Sequence, residues 1–348
     1  MNEMPLGVPK VSVCIPTYNR AGYLQQCVTS VIRQTRSDFE LVISDNASTD
    51  GTREMVTALR DPRLRYIRHV TNVGSRENWN RCMAVARGEY VAICHDDDYY
   101  EPTFLEQTCA LLDRHPSAGF VYTAAYTTDT AGKRIGLSRV HRSDQFWKHP
   151  ALGLQFLEHN HDVVFSSVVA RRGAYGQVGR FDPGLLCGDY EMWLKLSFLF
   201  DVGYLSTPLV SYRSHRLSTT ASMLPARFVE ENRVIVNRVI DWVMPQMPSL
   251  SSRRSSALAA VDRVWAKRSL QTAWASLADG AFEQASAYLQ LLVQLDQRGW
   301  PTQWQATCTR ACLNPMGRRI AQGIQEMRRV CRRVLLTGMP DGRICRLP

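Results

Sequence analysis

The sequence contains no Cys-x-x-Cys pair, although it holds 10 cysteines in 348 residues. Thiols scattered in this way argue against a zinc cluster or a disulfide framework, and we read them as reduced, as in a cytoplasmic protein. No apolar run approaches the ~18 residues of a membrane span. The opening residues, Met1–Val8, have neither the basic nor the apolar stretch of a secretory signal. An early glycine-rich loop with a basic residue for a triphosphate is also missing, which weighs against a nucleotidyltransferase.

Charge is unevenly spread. The net charge is +10, yet residues 1–222 hold about 24 basic against 23 acidic side chains. Nearly all the excess therefore falls in residues 223–348. No nucleic-acid-binding motif accompanies it, so nucleic acid is not an expected partner. Within that region Met316–Leu336 spaces Ile320, Ile324, Met327, Cys331 and Val334 as one helical face, with arginines elsewhere around it. Such a basic amphipathic helix suits either an anionic membrane surface or packing on the protein body.

The first ~120 residues alternate strand and helix patterns, the signature of a mostly parallel sheet with helices on its faces. Strands are expected at Lys10–Ile15, Phe39–Ile43, Arg65–Ile67, Tyr90–Cys94 and Gly119–Tyr122. Helical spacing falls at Tyr23–Gln34, Asp50–Leu59, Glu77–Arg87 and Phe104–Arg114. Residues 127–160 read as an irregular loop. Val163–Ala170 reads as a strand, Tyr190–Phe200 as a helix, and Gly203–Leu205 and Leu209–Tyr212 as two short strands. Helices resume near Pro225, with a hairpin over Leu270–Asp296 turning at Asp279-Gly280.

The polar loops carry the chemistry. His95-Asp96-Asp97-Asp98 follows the fourth strand. Three adjacent carboxylates repel one another, and a hard divalent cation bridging them to a diphosphate would relieve the repulsion. Ile15–Arg20 follows the first strand, Asp45–Thr52 the second, and Asn72-x-Gly74 the third. Each alone is ordinary turn chemistry. Together they project from one edge of a sheet, where open α/β folds bind ligands.

At these residues the chain resembles the inverting family 2 glycosyltransferases of GT-A fold. The resemblance spans roughly residues 10–222. It rests on Val11–Arg20, Val42–Gly51, Asn72-x-Gly74, Asn80, Gly88–Tyr90, Asp97-Asp98 with Pro102, Asp189–Leu194 and Tyr212-Arg-x-His215. It implies a GT-A domain over 1–222 and a basic α-helical C-terminal region over 223–348. It also implies metal-dependent transfer of a sugar from a UDP- or dTDP-sugar to a saccharide or lipid-linked acceptor, at or near the cytoplasmic face of a membrane; the alternative is a glycosyltransferase-like nucleotide-binding or scaffold protein without turnover. Pro16, Thr17, Asn19, Asp45, Asn72, Gly74, Asn80, Asp96 and Asp97 would line the nucleotide site. Asp45 would accept from N3–H of a uracil-type base. Asp97, Asp98 and His215 would hold Mn²⁺ or Mg²⁺. Asp189 would be the general base, with Glu191 the fallback. Two positions depart from the family pattern. The first acid of the metal motif falls on His95, and the usual Glu-Asp pair reads Gly188-Asp189. Imidazole suits Mn²⁺ better than Mg²⁺.

Overall fold

The structure, a computed structural model, describes residues 8–138, 141–159, 163–215, 225–278 and 282–296. The first half alternates: β1 (Val11–Thr17), α1 (Ala21–Ile32), β2 (Phe39–Asp45), α2 (Thr52–Ala58), β3 (Leu64–Arg68), α3 (Ser75–Val85) and β4 (Tyr90–Ile93). Then come β5 (Tyr99–Tyr100), α4 (Phe104–Arg114), β6 (Ala118–Thr128), β7 (Arg134–Ser138), β8 (Gln145–Trp147) and α5 (Ala151–His159). β9 (Val169–Arg171), α6 (Arg172–Val178), α7 (Gly188–Leu199) and β10 (Asp201–Arg213) follow. The last described elements are α8 (Pro225–Val243), α9 (Arg254–Ala278) and α10 (Phe282–Asp296).

The strands form one mixed sheet in the order β3-β2-β1-β4-β9-β6-β10-β5, with β7 on β6 and β8 on β10. β1 pairs in parallel with β2 and β4, and β2 with β3. β9 runs antiparallel between β4 and β6. β1 and β2 are buried at every position, as strands covered on both faces must be. Alternation assigns the faces. Val11, Val13 and Ile15 join Leu24, Cys27, Val28 and Val31 of α1 in one apolar core. Ser12, Cys14 and Ser44 instead bond to Gly88, Cys82 and Asn78, in and just beyond α3. Glu40 is the costliest residue on that face. It survives burial because Ser12, Arg65 and Arg87 all donate to it, and they hold its carboxyl below the usual range against the desolvation that would raise it.

Several expectations need correction. Residues 127–160 are not irregular: they hold β7, β8 and α5. β7 is largely exposed and β8 is only three residues long, so neither stands out as a strand in the sequence. Val163–Ala170 is not one strand but a 3₁₀ turn at Phe165–Ser167 followed by β9. The two short strands at 203–212 are one, β10, whose pairing with β6 shifts register around Pro208. The helical hairpin starts earlier, at Arg254, and its turn at Asp279-Gly280 lies outside the described residues, as does Met316–Leu336. Apart from these corrections, the described residues form two compact units, the first of which takes in residues 227–261. In it α8 is tied down by Glu231, which accepts from Cys187 N–H at 2.6 Å, and by Arg238 on Asp182 at 2.9 Å. Pro225, Ala226 and residues 262–278 and 282–296 belong to a second, helical unit. Among the described residues no helix is long and apolar enough to cross a membrane.

The tightest backbone approach is at Gly88, before β4. A Cβ there would meet Ser12 N at 2.5 Å and Val11 C at 2.7 Å. Backbone cannot yield as a side chain can. Gly88→Ala should therefore destabilise the first unit by about 1–3 kcal/mol. Gly22, in α1, has open space around it. Gly22→Ala should stabilise by about 0.5–1 kcal/mol, from helix propensity. Urea melts of both variants check the contrast, and equal effects would contradict this packing.

Candidate active site

The carboxyl ends of β1, β2, β3 and β4 bring four loops together. Thr17 and Asp45, the last residues of β1 and β2, are direct register partners. Past them the chain turns sharply through left-handed residues, Asn19 at φ 52° and Ala47 at φ 65°. Polar latches then join the loops. Asn19 N–H donates to Ser48 Oγ at 2.9 Å, and Thr49 N–H donates back to Asn19 Oδ1 at 2.7 Å. Asn46 Nδ2 donates to Asn72 Oδ1 at 2.8 Å, and Val73 N–H to Asn46 Oδ1 at 2.8 Å. Gly74, at φ 84°, then opens α3. Pro16, Thr17, Asn19, Asp45, Asn72 and Gly74 are thus gathered at one rim.

Asp45 is wholly buried. It accepts from Ser48 N–H at 2.8 Å and from the Tyr66 hydroxyl, and Arg68 Nε lies 3.5 Å away. As placed, it fixes the Asn46–Ser48 turn.

The acidic run is equally well provided for. Asp96 Oδ2 accepts from Thr17 Oγ1 at 2.7 Å, and its Oδ1 lies 3.3 Å from Arg20 Nη1. Asp97 Oδ2 takes both Arg20 Nη1 and, at 2.8 Å, His215 Nε2. Asp98 accepts from Ser166 Oγ at 2.6 Å and Arg213 N–H at 2.9 Å. Arg213 Nε also donates to the Asp97 carbonyl at 2.9 Å. Burial, reinforced by the charge on Asp97, pushes Asp96 up to about 7. Burial raises Asp98 as well. Burial alone would raise Asp97, but His95, Arg20 and His215 together hold it low. One of the three carboxylates is therefore the settled anion.

His95 lies in an aromatic stack, its ring centroid 4.5 Å from Phe165 and 5.6 Å from Trp79. Burial lowers its pKa to about 4, so the imidazole is neutral. Its Nε2 is buried without a hydrogen-bond partner. One ligand atom each from His95, Asp97 and Asp98 lies within 4.8 Å of the others. A neutral imidazole with a free nitrogen beside ionisable carboxylates fits a divalent cation, and suits Mn²⁺ better than Mg²⁺.

Asp189 and Glu191 occupy the first turn of α7 and diverge, because residues two apart on a helix do not share a face. Asp189 shares electrostatic contact with Arg76, at the start of α3, and burial raises its pKa. Arg76 sits 5.1 Å from the Trp79 ring and so borders the His95 stack. Glu191 pairs with Lys195 at 3.1 Å, and Lys195 lies over Trp242 of α8. Asn80 grips the backbone of Phe181, donating to its carbonyl and accepting from its N–H, both at 2.9 Å. The sequence reading nominated neither Arg20 nor Ser166, Tyr66 or Arg76. Arg20 lies inside the Ile15–Arg20 motif, whereas Ser166 lies in Val163–Ala170, which reads as a strand.

The glycosyl transferase family 2 model matches residues 12–179. A hyaluronan synthase from Pasteurella multocida is 35% identical over 199 residues, which is 55% of this chain but only 19% of the synthase. S. aureus TarS 1–349, solved in complex with UDP-GlcNAc, superposes with a TM-score of 0.55 at 18% identity, over 84% of this chain and 93% of that one. A mannosyltransferase from Pyrobaculum calidifontis, solved with GDP-Man and Mn²⁺, gives 0.50 at 16% identity, over 84% and 88%. At these identities the structural likenesses show a shared fold.

Asp96 generates a pH prediction. Its folded pKa, about 7, exceeds the ~3.9 of an unfolded Asp. The folded state therefore binds the extra proton between about pH 4 and 7, and stability falls as pH rises through that window. Asp96→Asn cannot ionise. In EDTA it should match wild type near pH 5 and exceed it by roughly 2–4 kcal/mol near pH 8. Urea melts at both pH values measure this, and a difference that does not change with pH would contradict the raised pKa.

Proposed function

Because this chain belongs to glycosyl transferase family 2, we propose that it is a metal-dependent inverting glycosyltransferase moving a sugar from a UDP- or dTDP-sugar to an acceptor hydroxyl. The acceptor class we infer is a cell-surface saccharide or a lipid-linked precursor. Similarity to the hyaluronan synthase supports that class, although the chain spans only about a fifth of that protein. The basic C-terminal stretch in the sequence suits an acceptor held at an anionic membrane. The observation that carries the reading is the Asp96–Asp98 cluster, beside Thr17 and Arg20, at the carboxyl ends of parallel strands.

Asp97, Asp98 and His215, with His95 near them, would hold the cation, which supplies Lewis-acid stabilisation of the charge on the departing diphosphate. Asn19, Asn72 and Gly74 shape the rim of the nucleotide pocket. Asp45 would accept from a uracil N3–H, a donor that cytosine lacks. Asp189 would take the acceptor proton as the hydroxyl attacks the anomeric carbon opposite the diphosphate. A base works best with a pKa near the operating pH, and burial moves Asp189 in that direction. Glu191, neutralised by Lys195 on another face of α7, is the weaker candidate.

Asp189→Asn should lower sugar transfer about 10²–10⁴-fold while keeping thermal stabilisation by UDP with Mn²⁺. Glu191→Gln should transfer at close to the wild-type rate. Turnover with a panel of UDP- and dTDP-sugars, beside melts with UDP, dTDP, CDP and GDP, tests both points. Loss of rate in Glu191→Gln alone would reassign the base. Stabilisation by GDP and not by UDP would overturn the donor class.

A further inference from the structure

Asp97 Oδ2 is an oxygen that a divalent cation would use, and two side chains already hold it. Arg20 Nη1 and His215 Nε2 both contact that atom. The same Arg20 nitrogen reaches Asp96 Oδ1 at 3.3 Å. Arg20 is thus a cation built into the chain, bridging the two carboxylates.

Its position allows it to leave. Arg20 stands at the N-terminal boundary of α1, where its carbonyl accepts from Tyr23 and Leu24 N–H. The backbone is anchored there while the side chain, 27% exposed, reaches outward. A guanidinium and a dication cannot share Asp97 Oδ2, because like charges a few ångströms apart repel strongly in a half-buried cleft. A guanidinium displaced from a carboxylate pair needs another anion, and its planar fork matches phosphate oxygens. A nucleoside diphosphate in this cleft would supply one.

Resting on the nucleotide-sugar reading above, we propose that Arg20 is the resident counter-cation of the Asp96–Asp97 pair and passes to the diphosphate when a divalent cation takes its place. Cation binding is then conditional on nucleotide: neither alone displaces Arg20 well, and the two together do. Arg20 acts here as a positioning residue that couples two ligands, and the coupling is reciprocal.

Mn²⁺ titration of the full chain, with free Mn²⁺ read by electron paramagnetic resonance, tests this with and without UDP. In wild type, UDP should raise Mn²⁺ affinity about tenfold or more. In Arg20→Gln, Mn²⁺ should bind about tenfold more tightly without UDP, and UDP should add less than about threefold. A residue that merely contacts diphosphate would weaken UDP binding and leave Mn²⁺ alone unchanged, which overturns the proposal, as does wild-type coupling in the variant. If melts show that Arg20→Gln does not fold, Arg20→Lys keeps the charge and loses the fork. Its coupling should fall below wild type, and unchanged coupling overturns the proposal. Wild-type protein that retains no Mn²⁺ even with UDP defeats the nucleotide-sugar reading itself, and this inference with it.

Discussion

Three carboxylates buried side by side at the end of an apolar strand are the constraint around which this protein is organised. Two like charges ~4 Å apart cost about 4 kcal/mol even at a protein-like effective dielectric. Asp96, Asp97 and Asp98 would unfold their surroundings unless countered. The structure counters them in three ways. Arg20 brings positive charge to Asp97, and His215 Nε2 bonds the same oxygen at 2.8 Å. Thr17, Ser166 and the Arg213 backbone supply neutral donors to its neighbours. Burial raises the pKa of both Asp96 and Asp98, which favours their neutral forms.

Each partner comes from a different part of the fold, so the cluster depends on the sheet. Thr17 ends β1, Arg20 precedes α1, Ser166 lies in the 3₁₀ turn before β9, and Arg213 ends β10. The β9 strand, wedged antiparallel between β4 and β6, brings Ser166 under the acidic loop. The Arg213 guanidinium reaches the carbonyls of Asp129 and Thr130 and the side chain of Gln26. It thereby ties the β6–β7 turn and α1 to the same point. Loss of any one tie would leave a buried polar group unpaired, at about 1–3 kcal/mol each.

The parallel half of the fold was legible because its strands are continuous apolar runs punctuated by Asn, Asp, Gly and Pro. The alternation Val11–Ile15, Phe39–Ile43, Tyr90–Cys94 follows directly from that pattern. Residues 127–160 were not legible, since β7 is exposed and β8 is three residues long. Short, exposed strands have no apolar period to read and are fixed by tertiary pairing. At the site, the acidic run and the Asn-rich loops were visible as residue types. The counter-charge was not, because Arg20 is far from Asp97 in sequence and arginine is common on surfaces. The departure at His95 was visible, but its reason was not. Its packing against Phe165 and Trp79 needs residues 70 and 16 positions away.

The central claim is that this cluster is a cation site completed by nucleotide. Anomalous diffraction at the manganese edge, from crystals grown with UDP and Mn²⁺, addresses it most directly. The account predicts one peak at bonding distance from Asp97, with the Arg20 guanidinium withdrawn from that carboxylate and turned to the diphosphate. UDP bound in the cleft with no peak near Asp97, or with Arg20 still seated on it, would contradict the account.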